Sequence, residues 1–160
     1  MGNSHDVIIR EFQVAGKFRA AAAFTDGLCD QKTLSDFVME SLMRFQDDAF
    51  NMDPDIDAEQ AFQIIKEQLL TSGDVKEVSN WKHLFLGMLS GDSVLLFNGC
   101  NKAIAVATKG GENRGVTEPS TQTVIRGPKE AFSESIRTNT SLIRRKNKEP
   151  QIVARRKNHW

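Results

Sequence analysis

Residues 118–145 have the sequence EPSTQTVIRGPKEAFSESIRTNTSLIRR, and this stretch decides the predicted fold. Pro119 and Pro128 exclude a helix through the whole stretch, because proline fixes φ and lacks the amide hydrogen. Between them, residues 122–125 include three β-branched side chains and favour a short strand. Gly127 and Pro128 then predict a turn followed by a helix, since proline is tolerated at the first helical position.

Beyond Pro128 the apolar residues recur at helical spacing as far as Arg145. This spacing predicts one apolar helix face, with Asn139 lying on it. We therefore expect a long helix that docks its apolar face against a sheet. The predicted face consists of Ala131, Phe132, Ile136, Asn139, Leu142 and Ile143.

The rest of the chain alternates strand-like and helix-like segments. Strands are predicted over residues 7–14, 19–25, 93–97 and 103–108, and helices over 34–45, 57–70 and 81–89. Each pair of strands is separated by a short turn and predicts a hairpin. Together these elements predict an α/β fold in one compact domain, with a mixed sheet built from two hairpins and packed helices. The strand order does not follow from the sequence.

Residues 118–145 resemble the segment that closes the first soluble subdomain in the A subunits of bacterial spore-germination (GerA-type) nutrient receptors. That family shows Glu-Pro, a strand, Arg-Gly-Pro with a basic, an acidic and an aromatic residue, and later Asn and Leu-Ile-Arg-Arg. Gln122 departs from the pattern, because an acid is more usual there. Upstream stretches also fit, so the resemblance covers nearly residues 3–146. The matching residues are Glu118, Pro119, Val124, Arg126, Gly127, Pro128, Lys129, Glu130, Phe132, Glu134, Asn139, Leu142, Ile143, Arg144 and Arg145.

The resemblance implies a non-enzymatic subdomain that senses a ligand and transmits a signal during spore germination. In that family the A subunit works with B and C subunits in the inner spore membrane, and nutrient recognition leads to release of ions and dipicolinate. Residues 3–146 would form the subdomain, and residues 147–160 a basic tail or a truncated linker to a second subdomain. The expected ligand or partner surface consists of Glu118, Arg126, Gly127, Lys129, Asn139, Arg144 and Arg145.

The charge balance gives no general reason to expect nucleic acid as a partner. The chain has 160 residues, with 21 Lys and Arg against 21 Asp and Glu. From residue 144 onward, seven basic residues stand against one Glu, which gives a net charge of +6. Such an end could attract phosphates or acidic lipid headgroups. We interpret it as a solvated terminus, because Trp160 is its only aromatic residue.

No cofactor or metal site is expected from the sequence. Cys29 and Cys100 lack CxxC spacing, which argues against a disulfide framework or a zinc site. Asp53 opens an alternating acidic run like that of a calcium loop, but Ala58 stands where such a loop needs Gly. No GxSxG elbow or HExxH motif occurs, so the sequence does not predict an enzyme.

An alternative function rests on Arg126 and Lys129, which flank the predicted helix start at Gly127. Helix amino termini with nearby cations can hold a phosphate or a carboxylate. This pattern suits a stand-alone regulatory domain that binds an anionic metabolite or a nucleotide. In the structural interpretation, Arg126 instead pairs with an acid such as Glu118 or Glu130.

No apolar run approaches the roughly 18 residues needed to cross a bilayer. The amino terminus also lacks a basic region followed by an apolar one, so no secretory signal is predicted. We expect this chain by itself to be soluble and cytoplasmic. The resemblance places the full-length family member in the inner spore membrane.

Overall fold

The structure is a computed structural model that describes residues 4–44, 56–70, 74–110, 135–151 and 153–154. Its strands are β1 (Val7–Val14), β2 (Phe18–Thr25), β3 (Val75–Val78), β4 (Ser93–Phe97) and β5 (Ala103–Val106). Helix α1 joins three stretches, of which the middle one is π-helical: Gln31–Thr33, Leu34–Met39 and Glu40–Met43. The other helices of the described chain are α2 (Ala58–Leu70), α3 (Trp81–Leu89) and α4 (Ile136–Lys146).

The five described strands form one sheet in the order β1-β2-β4-β5-β3. The predicted α/β class, built on two hairpins with packed helices, is confirmed. All four strand pairings are antiparallel, where we expected a mixed sheet. The sequence also missed β3, which pairs with β5 at the edge of the sheet. Its four residues are half charged, so they carry too little alternation to predict a strand.

The first hairpin shows how local chemistry sets the strand register. Ala15 and Gly16 adopt positive φ angles of 49° and 69°, and Val14 is paired with Phe18 across the turn. The amide of Lys17 donates to the carbonyl of Val14 at 3.0 Å. The second predicted hairpin is also present, with Gly99 at φ 85° in its turn. Both turns therefore lie where the sequence predicts them.

Helices cover both faces of the sheet. On one face, buried side chains of α1 and α2 meet those of the central strands, and Phe62 of α2 packs edge-on against Phe97 at 5.7 Å. On the other face α3 contributes Leu84 and Met88, which pack against Ala23 and its neighbours. Asp30 caps α1 through the amides of the first turn, and Asn80 caps α3. The core thus consists of two apolar clusters separated by the sheet.

The prediction for the last helix is wrong in its start and in its buried face. Ser135 has extended backbone and caps α4 by accepting from the amide of Thr138, so the helix begins at Ile136 and not near Pro128. Ile136 is 73% exposed and Ile143 is 44% exposed. The described residues of α4 that are buried are instead polar, Ser141 and Arg144. The predicted strand 122–125, Ala131 and Phe132 lie outside the described residues.

The error in the predicted buried face of α4 has a physical cause. Hydrophobic spacing predicts which side of a helix avoids water, but a buried ion pair with hydrogen bonds can place a polar side inward instead. In α4 a polar side faces the domain. Arg144 contacts Asp6 before β1 and Arg137 contacts Asp26 after β2, so the helix meets the ends of these strands and not the face of the sheet.

Replacement of Phe62 by Ala tests the larger cluster. Phe62 is fully buried, so the Phe62→Ala variant should lose about 3–5 kcal/mol of unfolding free energy through lost burial and an unfilled cavity. Urea denaturation followed by circular dichroism measures this loss. The matched control is Ile9→Ala, whose side chain is 63% exposed on β1 and should change stability by less than about 0.5 kcal/mol. Equal losses in both variants would contradict the described core.

Candidate functional site

The two arginines at the end of α4 point in different directions. Successive residues of a helix are rotated by about 100° around its axis, so the side chains of adjacent residues point in different directions. Arg144 is 1% exposed and turns into the domain, whereas Arg145 is exposed and lines a cavity. These two side chains define the two parts of the candidate site.

Arg144 forms a buried cluster with Asp6 and Ser4, which we call the Arg144 cluster. Its Nε donates to Asp6 Oδ2 at 2.6 Å, and its Nη2 donates to Asp6 Oδ1 at 3.2 Å. Nη2 also lies 3.3 Å from Ser4 Oγ, and the Ser4 hydroxyl donates to Asp6. The guanidinium thus holds the carboxylate with two parallel hydrogen bonds, the strongest arrangement available to this pair.

The Arg144 cluster also holds the residues that follow α4. The amide of Ala154 donates to Ser4 Oγ at 2.9 Å, and the amide of His5 donates to the carbonyl of Ala154 at 2.9 Å. The carbonyl of Asp6 accepts from the amide of Asp26, at the turn after β2, at 2.7 Å. The chain before β1, the turn after β2 and the chain after α4 therefore meet at one place.

Burial and pairing act in opposite directions on Asp6. Desolvation raises the pKa of its carboxyl group, while hydrogen bonds from Arg144 and Ser4 and the positive charge of Arg144 lower it. The pairing outweighs the burial, so the pKa of Asp6 lies below its ordinary value of 3.8. Asp6 is therefore a charged acceptor at neutral pH.

A second contact holds α4 against the turn after β2. Arg137 Nη2 lies 2.9 Å from Asp26 Oδ1, and the Arg137 Nε donates to the same oxygen at 3.0 Å. Gly27 has φ 79°, and a side-chain carbon placed there would lie 3.0 Å from the Ser141 Cβ. The Asp-Gly turn thus supplies an anion for α4 and leaves room for the helix to approach.

A cationic cavity of about 380 Å³ lies beside the end of α4. Among the described residues that line it, three are basic and none is acidic. Lys109 is balanced by Asp92, whose Oδ1 lies 3.5 Å from the lysine Nζ. Within the part of the chain that the structure describes, Arg145 and Lys148 form no ion pair. The cavity is lined by Leu28, Leu89, Ser90, Lys109, Gly110, Arg145 and Lys148.

Two glycines bring the walls of the cationic cavity together. Gly91 has φ 99°, and a Cβ there would lie 2.7 Å from the Leu28 carbonyl oxygen. A Cβ on Gly110 would lie 2.2 Å from that of Asp30. The amide of Gly110 donates to the Leu28 carbonyl at 3.1 Å, which fixes Lys109 at the rim. No larger residue fits at either position without displacing the backbone.

Cys29, Ser93 and Thr108 form a buried polar cluster, and two of them are sequence neighbours of the cavity-lining residues Leu28 and Lys109. The hydroxyls of Ser93 and Thr108 lie 2.6 Å apart, and Cys29 Sγ lies 3.2 Å from Ser93 Oγ. Burial raises the pKa of the Cys29 thiol, which favours its neutral form. This thiol is thus a packed hydrogen-bonding group and not an activated nucleophile.

The structure places the predicted surface residues in several environments. Glu118, Arg126, Gly127 and Lys129 lie outside the described residues. Asn139 is half-buried in α4, and its amide donates to the Ser135 carbonyl at 3.0 Å. Arg144 lies inside the domain, whereas Arg145 lines the cationic cavity.

Sequence reasoning missed the partners of these arginines. Lys148 follows Arg145 by three residues, and residues at this spacing lie on the same face of a helix. The spacing could therefore have indicated that the two cations are neighbours, had the predicted helix been extended to residue 148. Asp6 is a single acid before a strand and is 138 residues from Arg144, so no local signal links them. Within the described ranges, no helix is long and apolar enough to cross a membrane, and no three metal-ligating side chains cluster.

The model of the family described as Bacillus/Clostridium GerA spore germination protein matches residues 1–158. The chain therefore belongs to the GerA spore germination protein family, and the predicted resemblance is confirmed.

Individual relatives agree with this assignment. The chain is 35% identical over 154 residues to spore germination protein KA of Bacillus subtilis (strain 168), covering 95% of this chain and 27% of that protein. It is 28% identical over 155 residues to spore germination protein GerLA of Bacillus cereus, covering 95% of this chain and 30% of that protein. The chain thus spans less than a third of the length of these two relatives.

A solved structure has the same fold. The N-terminal domain of the A subunit of the Bacillus megaterium spore germinant receptor GerK3 is similar with a TM-score of 0.67 and 32% identity. The match covers 93% of this chain and 51% of the GerK3 chain. The chain therefore has the fold of about half of such an N-terminal domain.

Removal of one member of the buried pair should destabilise the domain strongly. Arg144→Gln leaves Asp6 buried without its cation, which should cost about 3–5 kcal/mol of unfolding free energy. Urea denaturation at pH 7 measures this. The matched control Arg145→Gln removes the neighbouring, exposed charge and should cost less than about 0.5 kcal/mol. Similar costs for the two variants would argue against the buried pair.

The lowered pKa of Asp6 predicts a pH dependence with a defined sign. A carboxyl group whose pKa is lower in the folded state stabilises the fold above its unfolded pKa, and this contribution is lost as the pH falls through the folded pKa. The stability difference between wild type and Asp6→Asn should therefore shrink as the pH falls below the ordinary value of 3.8. Denaturation of both proteins between neutral pH and pH 3 checks this, and a constant difference would contradict it.

Proposed function

We propose that this chain is the first soluble subdomain of a spore germinant receptor A subunit, and that it takes part in ligand sensing and signal transmission. The observation that carries the proposal is the fold match to the N-terminal domain of the GerK3 A subunit, which covers 93% of this chain at 32% identity. Residues 3–146 form the subdomain in this proposal, and residues 147–160 lead toward a second one.

The described chemistry supports a binding role in preference to catalysis. The most buried charged group, Arg144, is saturated by Asp6 and Ser4, and the buried Cys29 thiol favours its neutral form. The exposed cations Arg145 and Lys148 line a cavity instead, where charge serves recognition. The names of the matched relatives describe spore germination proteins.

The geometry also supports transmission through the end of α4. Residues after the helix are hydrogen-bonded to Ser4 and His5, and Arg144 links the helix to Asp6 at the start of β1. A displacement of the chain after α4 would therefore act on the sheet through a few directional contacts. A ligand that favours one position of this segment would shift the population of the whole domain.

The assembly around the domain is part of the same proposal. The partners are the B and C subunits of a germinant receptor, and the ligand is a small-molecule nutrient. The domain works on the cytoplasmic side of the inner spore membrane. The alternative of a stand-alone regulatory domain with an anion site at Gly127 is not favoured, because the match to the family of spore germination proteins covers residues 1–158.

Deletion of the gene that encodes the full-length receptor subunit should abolish or delay germination with at least one nutrient. Release of dipicolinate from purified spores after nutrient addition measures the response. Germination by a trigger that does not act through nutrient receptors should remain normal and serves as the control. Restoration of the intact gene should restore the response. An unchanged response of the deletion strain to every nutrient that acts on the parent would overturn the proposed function.

A further inference from the structure

We infer that the cationic cavity binds a small oxyanion, a carboxylate or a phosphate, held by the side chains of Arg145 and Lys148. The chemistry rests on the described residues, whereas a role of the ligand in germination rests on the proposed function. The inferred site uses other residues than the predicted anion site at Gly127.

The charge around the cavity favours an anion. Arg145 and Lys148 lie at the same opening, and none of the described residues that line it is acidic. Like charges held close together repel each other, so their placement at one cavity is less unfavourable when an anion lies between them. Lys109 contributes less positive charge to the cavity, because Asp92 already balances it.

The position of these cations near helix ends offers a competing explanation for their clustering, since cations also stabilise the exposed carbonyl groups at the carboxy end of a helix. At the end of α3, however, the amides of Ser90 and Asp92 both donate to the Gly87 carbonyl, and that of Gly91 donates to Met88. At the end of α4, the amide of Asn147 donates to the Ile143 carbonyl at 2.8 Å. Backbone amides thus satisfy three of the carbonyls at these two helix ends, so those three do not need a side-chain cation.

The size of the cavity indicates a small ligand. A volume of about 380 Å³ lies at the small end of the range for ligand sites, which is about 300–1,000 Å³. Leu28 and Leu89 are 5% and 0% exposed, so they offer a ligand almost no apolar surface. The planar guanidinium of Arg145 can donate two parallel hydrogen bonds to a carboxylate or to a phosphate. A small carboxylate and inorganic phosphate therefore both match the charge and the volume of the cavity.

Three small probes of the 160-residue chain separate these features. Sodium butyrate carries the carboxylate and an aliphatic part, inorganic phosphate carries the charge alone, and butylammonium chloride carries the aliphatic part with the opposite charge. Titration at constant ionic strength is followed by amide chemical shifts in nuclear magnetic resonance spectra. We expect saturable binding of butyrate and of phosphate, with Kd values on the order of 1 mM, and no saturable binding of butylammonium.

A pair of charge-matched double variants tests the location. Arg145→Gln with Lys148→Gln should weaken butyrate binding about fivefold or more, since it removes two charge-assisted contacts. Lys76→Gln with Lys82→Gln removes two exposed cations that do not line the cavity, and it should leave binding unchanged. Circular dichroism establishes that both variants are folded. No saturable binding of either butyrate or phosphate, an equal loss in both variants, or butylammonium binding as tight as that of butyrate would each overturn the inference.

The same double variant in the full-length receptor separates this inference from the proposed function. A weakened nutrient response with normal receptor abundance would support a germination role for the site. A normal response together with lost butyrate binding by the isolated chain would overturn that role and leave the proposed function standing.

Discussion

The buried ion pair between Arg144 and Asp6 is the constraint on which the arrangement of this domain depends. Among the described residues of α4, the buried ones are Ser141 and Arg144, so apolar burial contributes little to its docking. A buried ion pair also loses much of its attraction to desolvation, and it often adds less stability than apolar side chains of the same size would. What it supplies here is direction, because two parallel hydrogen bonds allow few orientations of the helix.

This direction matters for what the domain can do. Within the described structure, the same Ser4 hydroxyl contacts Arg144, Asp6 and the amide of Ala154. The chain before the sheet and the chain after the last helix therefore share one polar anchor. Arg145, the next residue along, lies at the cationic cavity on the outside. In the proposed function, a ligand at the cavity and the segment that follows α4 would act on the same helix end.

The sequence predicted most of the local structure because it carries strong local signals. Both hairpins follow from their turn residues and β-rich flanks, and α3 follows from Asn80 at its start and Ser90 at its end. The α/β class and the family resemblance also follow from the sequence. The features that the sequence did not predict correctly depend on residues that are distant in sequence. The edge strand β3 is defined by its pairing with β5, and the buried face of α4 is defined by Asp6 and Asp26.

The candidate site was predictable to a smaller extent for the same reason. Arg145 was expected on a partner or ligand surface, but Lys109 reaches the same cavity through the glycines that close its walls, and Lys148 reaches it through the chain after α4. Arg144 was grouped with it because the two are adjacent in sequence. On a helix, adjacency separates side chains by about 100°, and the burial of one is compatible with the exposure of the other.

Amide hydrogen exchange of wild type and Asp6→Asn tests the central role of the buried pair most directly, because it reports local opening for each segment. If the pair holds α4, the amides of Ile136–Lys146 should lose protection in the variant, while those of β2 and β4 in the core change much less. Unchanged protection of α4, or an equal loss in α4 and the central strands, would contradict the account.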